Sequence, residues 1–379
     1  MQVLYPRCAG LDVHKETVVA CVRLVEASGV VTQVRTFATT TTGLMELSAW
    51  LAHHGCTHVA MEATGVYWKP VWHVLEDGAF TLVLANAAHV KNVPGRKTDV
   101  NDAAWLAELL AHGLIRASFV PDAPTQELRT LLRTRKQLVR EKASHTQRIQ
   151  KVLEDANIKL DAVIANVLGK SGRAMLEALI AGESDPARLV ALAHPGLKSP
   201  KDKLRAALEG RVTAHHRFLL RRHLNQIDAL DASIAAIDKE VDDNLAPFRT
   251  AVELLSSIFG VSTLSAQIIV SEIGTDMSRF PTAGHLLSWA GLVPRNDESA
   301  GKRRSNRLRA RRGAKKAICA VAASLLTAAY HMLKTGAFYQ DLGPDHYQRR
   351  SKHTQTGRLL RRLRQLGYMV EITPLPEAA

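Results

Sequence analysis

Cysteine is scarce in this chain and follows no pattern. Cys8, Cys21, Cys56 and Cys319 are the only four among 379 residues. None stands in a CxxC pair or beside a histidine at zinc-ligand spacing, which excludes a disulfide scaffold and a thiolate zinc site. Free thiols fit a reducing compartment. The chain has no charged-then-apolar leader and no run of about 18 apolar residues of the kind that spans a bilayer. These absences predict a cytoplasmic, nucleoid-associated protein with no membrane contact. Aromatic residues are also sparse, at 5%. Acidic residues fall short of basic ones, 36 against 50, leaving a net charge of +14. That excess points to a polyanionic partner, because Lys and Arg replace counterions along phosphates. Charge alone does not separate DNA from RNA.

The length exceeds one ordinary core, so more than one domain is expected. Residues 9–13, 17–24 and 30–37 read as three successive strands, with a turn at Ser28-Gly29. Thr41 or Thr42 caps a helix reaching His54, with Leu44, Leu47 and Leu51 on one face. A strand at 57–62, a helix at 65–77, a strand at 81–85, a polar loop and a helix at 99–112 follow. The order β-β-β-α-β-α-β-α predicts a mixed sheet flanked by helices. The ribonuclease-H-like fold has this order, as do other α/β folds. Tyr67, Trp68 and Trp72 share a helix face and read as core packing, with stacking on nucleic acid as the alternative.

From Thr125 the texture turns helical and basic. One long helix begins there and a second is predicted over Pro200–Asp243. In the latter, Leu220, Ile227, Leu230, Ile234, Ile237 and Val241 alternate three and four apart, with His223 the one lapse. Such stripes pair with each other or across a dimer. Beyond Pro247, Leu254–Gly274 reads as helix, a Gly260-Val261-Ser262 turn, and helix. This pattern resembles a phosphate-gripping helix-hairpin-helix and equally a plain αα corner. Residues 292–306 read as a loop and 307–330 as a helix. The fold class is thus α/β plus α. It comprises a mixed-sheet domain (1–122), a long coiled-coil helical middle serving as linker and dimerisation region (123–246), a mainly helical C-terminal domain (247–340) and a basic tail (341–379).

Four carboxylates carry the candidate chemistry. Asp12 and Glu62 end apolar strands, and Asp99 and Asp102 lie three apart at the start of a helix. Phosphodiester cleavage by two Mg²⁺ ions needs hard oxygen ligands of this kind, without His or Cys. Each also has a plain reading: Asp99 as a helix N-cap, Asp12 as a turn residue. A basic run, Lys302, Arg303, Arg304, Arg307, Arg309, Arg311, Arg312, Lys315 and Lys316, is suited to clamping phosphates. No aromatic interleaves with it, so it is not a base-stacking row. A second run, Arg349 to Arg364, and a third, Arg129 to Arg140, suit nucleic acid as well.

The stretches Gly10-Leu11-Asp12-Val13-His14-Lys15, Met61-Glu62-Ala63-Thr64-Gly65-Val66-Tyr67-Trp68 and Lys97-Thr98-Asp99-Val100-Asn101-Asp102-Ala103 resemble the three nuclease motifs of the DEDD transposases. These form the insertion-sequence family numbered one-ten. Gly291-Leu292-Val293-Pro294, Glu298-Ser299-Ala300-Gly301-Lys302 and the tail Leu366–Pro374 resemble that family's second domain. The resemblance covers nearly the whole chain, in order. It implies a RuvC-like first domain with Asp12, Glu62, Asp99 and Asp102 as ligands of two Mg²⁺ ions. It implies a transposase or recombinase that cuts and rejoins donor and target DNA under the guidance of a structured bridge RNA. Ser299 matches the family's nucleophile, which leaves a phosphoserine–DNA linkage and a free 3′-hydroxyl within a homodimer or tetramer. Specificity would then reside in the paired strands rather than in the protein. The competing readings are a Holliday-junction-type endonuclease using the same carboxylates with water, and a non-catalytic nucleic-acid binder.

Overall fold

Three strands joined by tight turns open the chain: β1 (Arg7–Val13), β2 (Thr17–Glu26) and β3 (Gly29–Ala38). They pair antiparallel, with Asp12 opposite Val19 and Cys21 opposite Val34. β4 (His58–Glu62) then lies parallel to β1, and β5 (Thr81–Ala85) parallel to β4. The result is a five-stranded mixed sheet ordered β3-β2-β1-β4-β5. The two late strands enter through crossover helices, as parallel neighbours require. The computed structural model describes residues 2–63, 65–86, 90, 102–293, 298–299, 302–303, 314–341, 356–357 and 359–371. The chain divides into two units, Met1–Pro121 and Asp122–Ala379.

In the first unit, α1 (Thr41–His53) and α2 (Trp68–Glu76) cover one face of the sheet. Leu44, Leu47, Leu51, Val71 and Leu75 pack there on Leu11, Val18, Phe37 and Met61. The cap of α1 is Thr40, not Thr41 or Thr42: its backbone is extended and its hydroxyl accepts from the Gly43 N–H. Trp68 and Trp72 meet edge to face at the margin of this core, and Tyr67 is exposed. The opposite face receives α3 (Asp102–Ala111), whose Leu110 and Ala111 pack on Cys8 and Ala60. Among the cysteines, Cys8, Cys21 and Cys56 are buried, and Cys319 is exposed. Burial pushes the Cys8 thiol up to about 11 and the Cys56 thiol up to about 12, so both are inert at neutral pH.

The regular elements described in the second unit are helices, except for one short hairpin. α4 (Ala123–Asp155) is the first long helix. The short helices α5 (Leu160–Val163), α6 (Lys170–Ala181), α7 (Pro186–Ala191) and α8 (Lys201–Ala207) follow, and α9 (Ala214–Asp243) is the second long helix. The helix expected over Pro200–Asp243 is thus broken between α8 and α9. At the break Gly210 lies against the chain: a Cβ there would meet the Ala156 carbonyl at 2.4 Å. Thr213 then restarts the helix with a capping box closed by the His216 side chain.

α4 and α9 run antiparallel beside each other. Arg135 pairs with Asp238 and Lys142 with Asp231. Further along, His145 meets His223 and Asp155 meets His216. The stripe is therefore covered within one chain. Leu220, Leu224, Ile227, Leu230 and Val241 are its buried members, with Leu224 filling the turn where His223 breaks the heptad. Leu220 and Leu224 join Ile149, Leu153 and Leu176 in one core. The other end of the pair shares a second core, where Leu128, Leu132 and Val241 meet α10 (Arg249–Ser256), α11 (Thr263–Ile273) and α13 (Ala314–Thr335). Gly260, at a positive φ of 84°, turns the chain between α10 and α11. α12 (Ala283–Trp289) packs with Tyr330, whose buried hydroxyl donates to the Phe280 carbonyl at 2.9 Å.

One stretch of α13, Ile318–Thr335, is apolar enough by length and composition to cross a membrane, with a mean hydropathy of 1.3. Of that stretch 17% is buried, with Ala329, Tyr330 and Met332 in the helical cores.

Candidate active site

Register alone makes Asp12 and Glu62 neighbours. Parallel pairing of β1 with β4 runs from Cys8 opposite His58 to Leu11 opposite Met61. One step further along the same register come Asp12 and Glu62. Alternation along each strand sends Leu11 and Met61 into the core beneath α1 and α2. Asp12 and Glu62 are therefore directed to the other face, the one that carries α3. Both lie at the carboxyl ends of parallel strands, where open α/β sheets present their ligand sites. β5 fixes the end of β4: Glu62 stands opposite Ala85, and the Ala63 N–H donates to the Ala85 carbonyl at 3.0 Å.

Close packing sets the direction of α3. The Cys8 thiol contacts the Ala107 carbonyl at 3.5 Å. A Cβ placed on Gly10 would lie 2.2 Å from the Ala103 carbonyl and 2.5 Å from the Ala107 nitrogen. Successive β1 residues on this face thus meet earlier turns of α3. Val19, which pairs with Asp12 across the hairpin, packs in the cluster of Ala103 and Ala104. The amino end of α3, where Asp102 stands, is accordingly the end directed toward Asp12. Glycine is needed at position 10 because the helix backbone occupies the space of any side chain.

The far end of α3 is locked by a polar network that sequence reasoning missed. Arg23, opposite Cys8 in the hairpin register, is buried, and its Nε donates to Glu108 at 2.6 Å. The other Glu108 oxygen meets His112 Nε2 at 3.0 Å, and His112 Nδ1 lies 3.0 Å from the Gln2 carbonyl. Burial would raise the Glu108 pKa, but the hydrogen bonds and charges of Arg23 and His112 outweigh it and hold the group below its ordinary value. The available signal was an arginine in the middle of an apolar strand, Cys21-Val22-Arg23-Leu24-Val25.

Asp12 is about one quarter exposed, and its Oδ2 lies 3.2 Å from His14 Nε2. The His14–Glu16 turn is held by Thr39, whose hydroxyl donates to the Lys15 carbonyl. Asp102 is the first residue of α3. Asp99 lies outside the described residues. Among the described residues, no three His, Cys, Asp or Glu side chains gather as a group that could hold a metal ion. What these residues provide is an adjoining carboxylate pair with a third carboxylate at the start of the helix above it. An open arrangement of oxygen donors suits Mg²⁺, which keeps several waters and takes one or two carboxylates.

In the second unit, Ser299 is not in plain loop. It sits in the two-residue strand β6 (Glu298–Ser299), which pairs antiparallel with β7 (Lys302–Arg303), so that Ser299 stands opposite Lys302. Lys302 and Arg303 form the returning strand, and Lys315 and Lys316 fall in the first turn of α13. Arg304, Arg307, Arg309, Arg311 and Arg312 lie outside the described residues.

Two family models match the chain. Residues 9–158 match the DEDD transposase model named for IS110, and residues 252–340 match the model described as "Transposase IS116/IS110/IS902 family". The chain belongs to this transposase family. The first match spans Asp12, Glu62, Asp99 and Asp102, and the second spans Ser299 and the basic run. A relative from Pseudomonas aeruginosa, named "Probable family 20 transposase", is 26% identical over 250 residues. That similarity covers 65% of this chain and 64% of the relative, just under two thirds of the relative's own length.

Proposed function

We propose that this protein is an insertion-sequence transposase or recombinase that cuts and rejoins DNA at the carboxylate end of its mixed sheet. The observation that carries the reading is the β1–β4 register, which makes Asp12 and Glu62 neighbours on the face directed to the amino end of α3. Asp12, Glu62, Asp99 and Asp102 would hold two Mg²⁺ ions. Bound there, the ions would supply an electrophile for the scissile phosphate and a counter-charge for the leaving oxygen. The first unit is then RuvC-like in fold, and the α4–α9 pair is a coiled coil joining it to the serine-bearing part. In the finer division, residues 123–246 serve as the linker and 247–340 as the transposase domain.

Ser299 is the proposed nucleophile. Its oxygen attacks phosphorus, the 3′-oxygen departs as a free hydroxyl, and the DNA 5′-phosphate remains esterified to the serine. A second DNA 3′-hydroxyl then attacks that phosphoserine and restores the serine. A serine hydroxyl needs help to lose its proton. The basic run beginning at Lys302 holds the DNA backbone through the two displacements, lowering the phosphate's negative field. The net charge of +14 supports donor and target DNA as partners. A structured bridge RNA and a homodimer or tetramer rest on the motifs shared with the family.

The test is trapping of the covalent intermediate. Wild-type protein incubated with insertion-sequence ends, guide RNA and Mg²⁺ yields a denaturation-resistant protein–DNA adduct mapping to Ser299, and Ser299→Ala yields none. Cleavage by Ser299→Ala at the wild-type rate, with no adduct, would instead assign water as the nucleophile.

A further inference from the structure

On α9 the side turned away from the core carries an aromatic residue. His216, Leu220, Leu224 and Ile227 are buried. At 3.6 residues per turn these four point to one side of the helix, and Phe218, Arg222 and Asn225 point to the opposite side. Phe218 is 61% exposed, and the Arg222 guanidinium lies over its ring, 5.6 Å from the centroid. Most of this ring is therefore presented to solvent and not to the core.

Charge is distributed unevenly along the same helix. Between Glu209 and Asp228 the chain has no acidic residue, but it carries Arg211, Arg217, Arg221 and Arg222 with three histidines. Glu177 pairs with Arg221. Arg211, Arg217 and Arg222 have no ion-pair partner among the described residues. Toward the other end of α9, Asp231 and Asp238 are matched by Lys142 and Arg135 of α4. The amino-terminal end of α9 therefore combines uncompensated cations with a presented ring.

We infer that this face is a single-strand nucleic-acid platform, with a base stacked on Phe218 and the adjoining phosphates held by Arg222 and Arg211. Stacking on an exposed ring needs an unpaired base, and Arg adds both phosphate contact and a cation–π component. A second copy of the chain fits less well: a two-fold contact would set this cationic patch against itself. The inference rests on the reading of the protein as a nucleic-acid enzyme. It adds a contact site remote in sequence from the carboxylates, Ser299 and the basic runs.

The experiment measures binding of the full-length protein to a short labelled oligonucleotide of mixed sequence, as single-stranded RNA, single-stranded DNA and duplex. Chelator is present, so no cleavage chemistry contributes. Phe218→Ala should weaken single-strand binding about fivefold or more while leaving duplex binding unchanged. Arg222→Ala should reduce the slope of log affinity against log salt by about 0.7. Halogenated-uracil crosslinks should map to the Ala214–Asn225 peptide, and the RNA and DNA arms identify which strand is preferred. Unchanged thermal unfolding of both variants certifies the fold. Wild-type affinity in both variants, with crosslinks mapping only elsewhere, would overturn the inference. So would a loss of self-association in the variants without a loss of binding. Neither outcome bears on the carboxylate reading, because Asp12→Asn is expected to bind normally in this assay and to fail only in cleavage.

Discussion

Gly10→Ala is a single-methyl test of how the sheet sets the candidate active site. The added Cβ would lie 2.2 Å from the Ala103 carbonyl, 2.5 Å from the Ala107 nitrogen and 2.8 Å from the Leu106 Cβ. The obstructing atoms are mostly helix backbone, so no side chain can swing aside. Restoring ordinary contact at 3.4 Å requires α3 to retreat by about 1 Å. Overpacking of this kind costs about 1–3 kcal/mol. Asp102 travels with α3 and leaves its place relative to Asp12. A displacement of about 1 Å in a catalytic constellation costs roughly a hundredfold in rate. The assay is Mg²⁺-dependent strand cleavage, measured beside urea unfolding. Leu51→Ala is the control, since Leu51 is fully buried against the other face of the sheet. That substitution should cost about 2–5 kcal/mol of stability while leaving α3 in place. At a temperature where both variants remain folded, Gly10→Ala should be the slower enzyme despite being the more stable. Equal or faster cleavage by Gly10→Ala would refute the link between Gly10, the seating of α3 and the carboxylates.

Other consequences follow from particular contacts. Tyr330→Phe removes a buried hydroxyl and leaves the Phe280 carbonyl without its donor, so unfolding stability should fall by about 1–2 kcal/mol with no new cavity. His223 is pressed against His145, with their Nδ1 atoms 3.2 Å apart, and Arg148 lies 3.3 Å from the other His145 nitrogen. Burial, then the charges of His145 and Arg148, lower the His223 pKa from 6.5. The unfolded chain therefore binds this proton more readily than the folded one. The contribution of His223 is full above pH 6.5 and is lost as pH falls through its lowered folded value. His223→Leu should flatten the decline in unfolding midpoint between pH 7.5 and about 5.5. An undiminished decline in that variant would place its origin elsewhere.

The strands were legible because β2 and β3 are rich in β-branched residues and β1, β4 and β5 are short runs with apolar middles, set off by turns or polar residues. β5 starts and ends where its pattern does, and β1, β2 and β4 differ from it by no more than two residues. The break before α9 was not legible. Leu204, Leu208 and Leu220 keep plausible helical spacing across it, and a single Gly210 is a weak stop signal. The capping box at Thr213 is also closed by His216 instead of the usual Glu or Gln, so its pattern did not stand out. Leu224 could not be preferred over His223 without knowing which side α4 covers. At the site, the four acids could be recognised by type, but the closeness of Asp12 and Glu62 is a property of β1–β4 pairing across fifty residues. No local spacing encodes that. The Arg23–Glu108 pair spans an even longer separation, and Gly10 looks like any strand glycine until α3 is laid on it.

The central claim is that Asp12 and its neighbours form the metal site at which the proposed enzyme cuts DNA. Asp12→Asn tests it with almost no change in shape. The measurement is strand cleavage of insertion-sequence-end DNA in Mg²⁺, with binding of the same DNA measured in parallel. Loss of a metal-ligand carboxylate should reduce cleavage by roughly a thousandfold or more while binding stays within about twofold of wild type. Wild-type cleavage by Asp12→Asn would contradict the account, whatever its effect on binding.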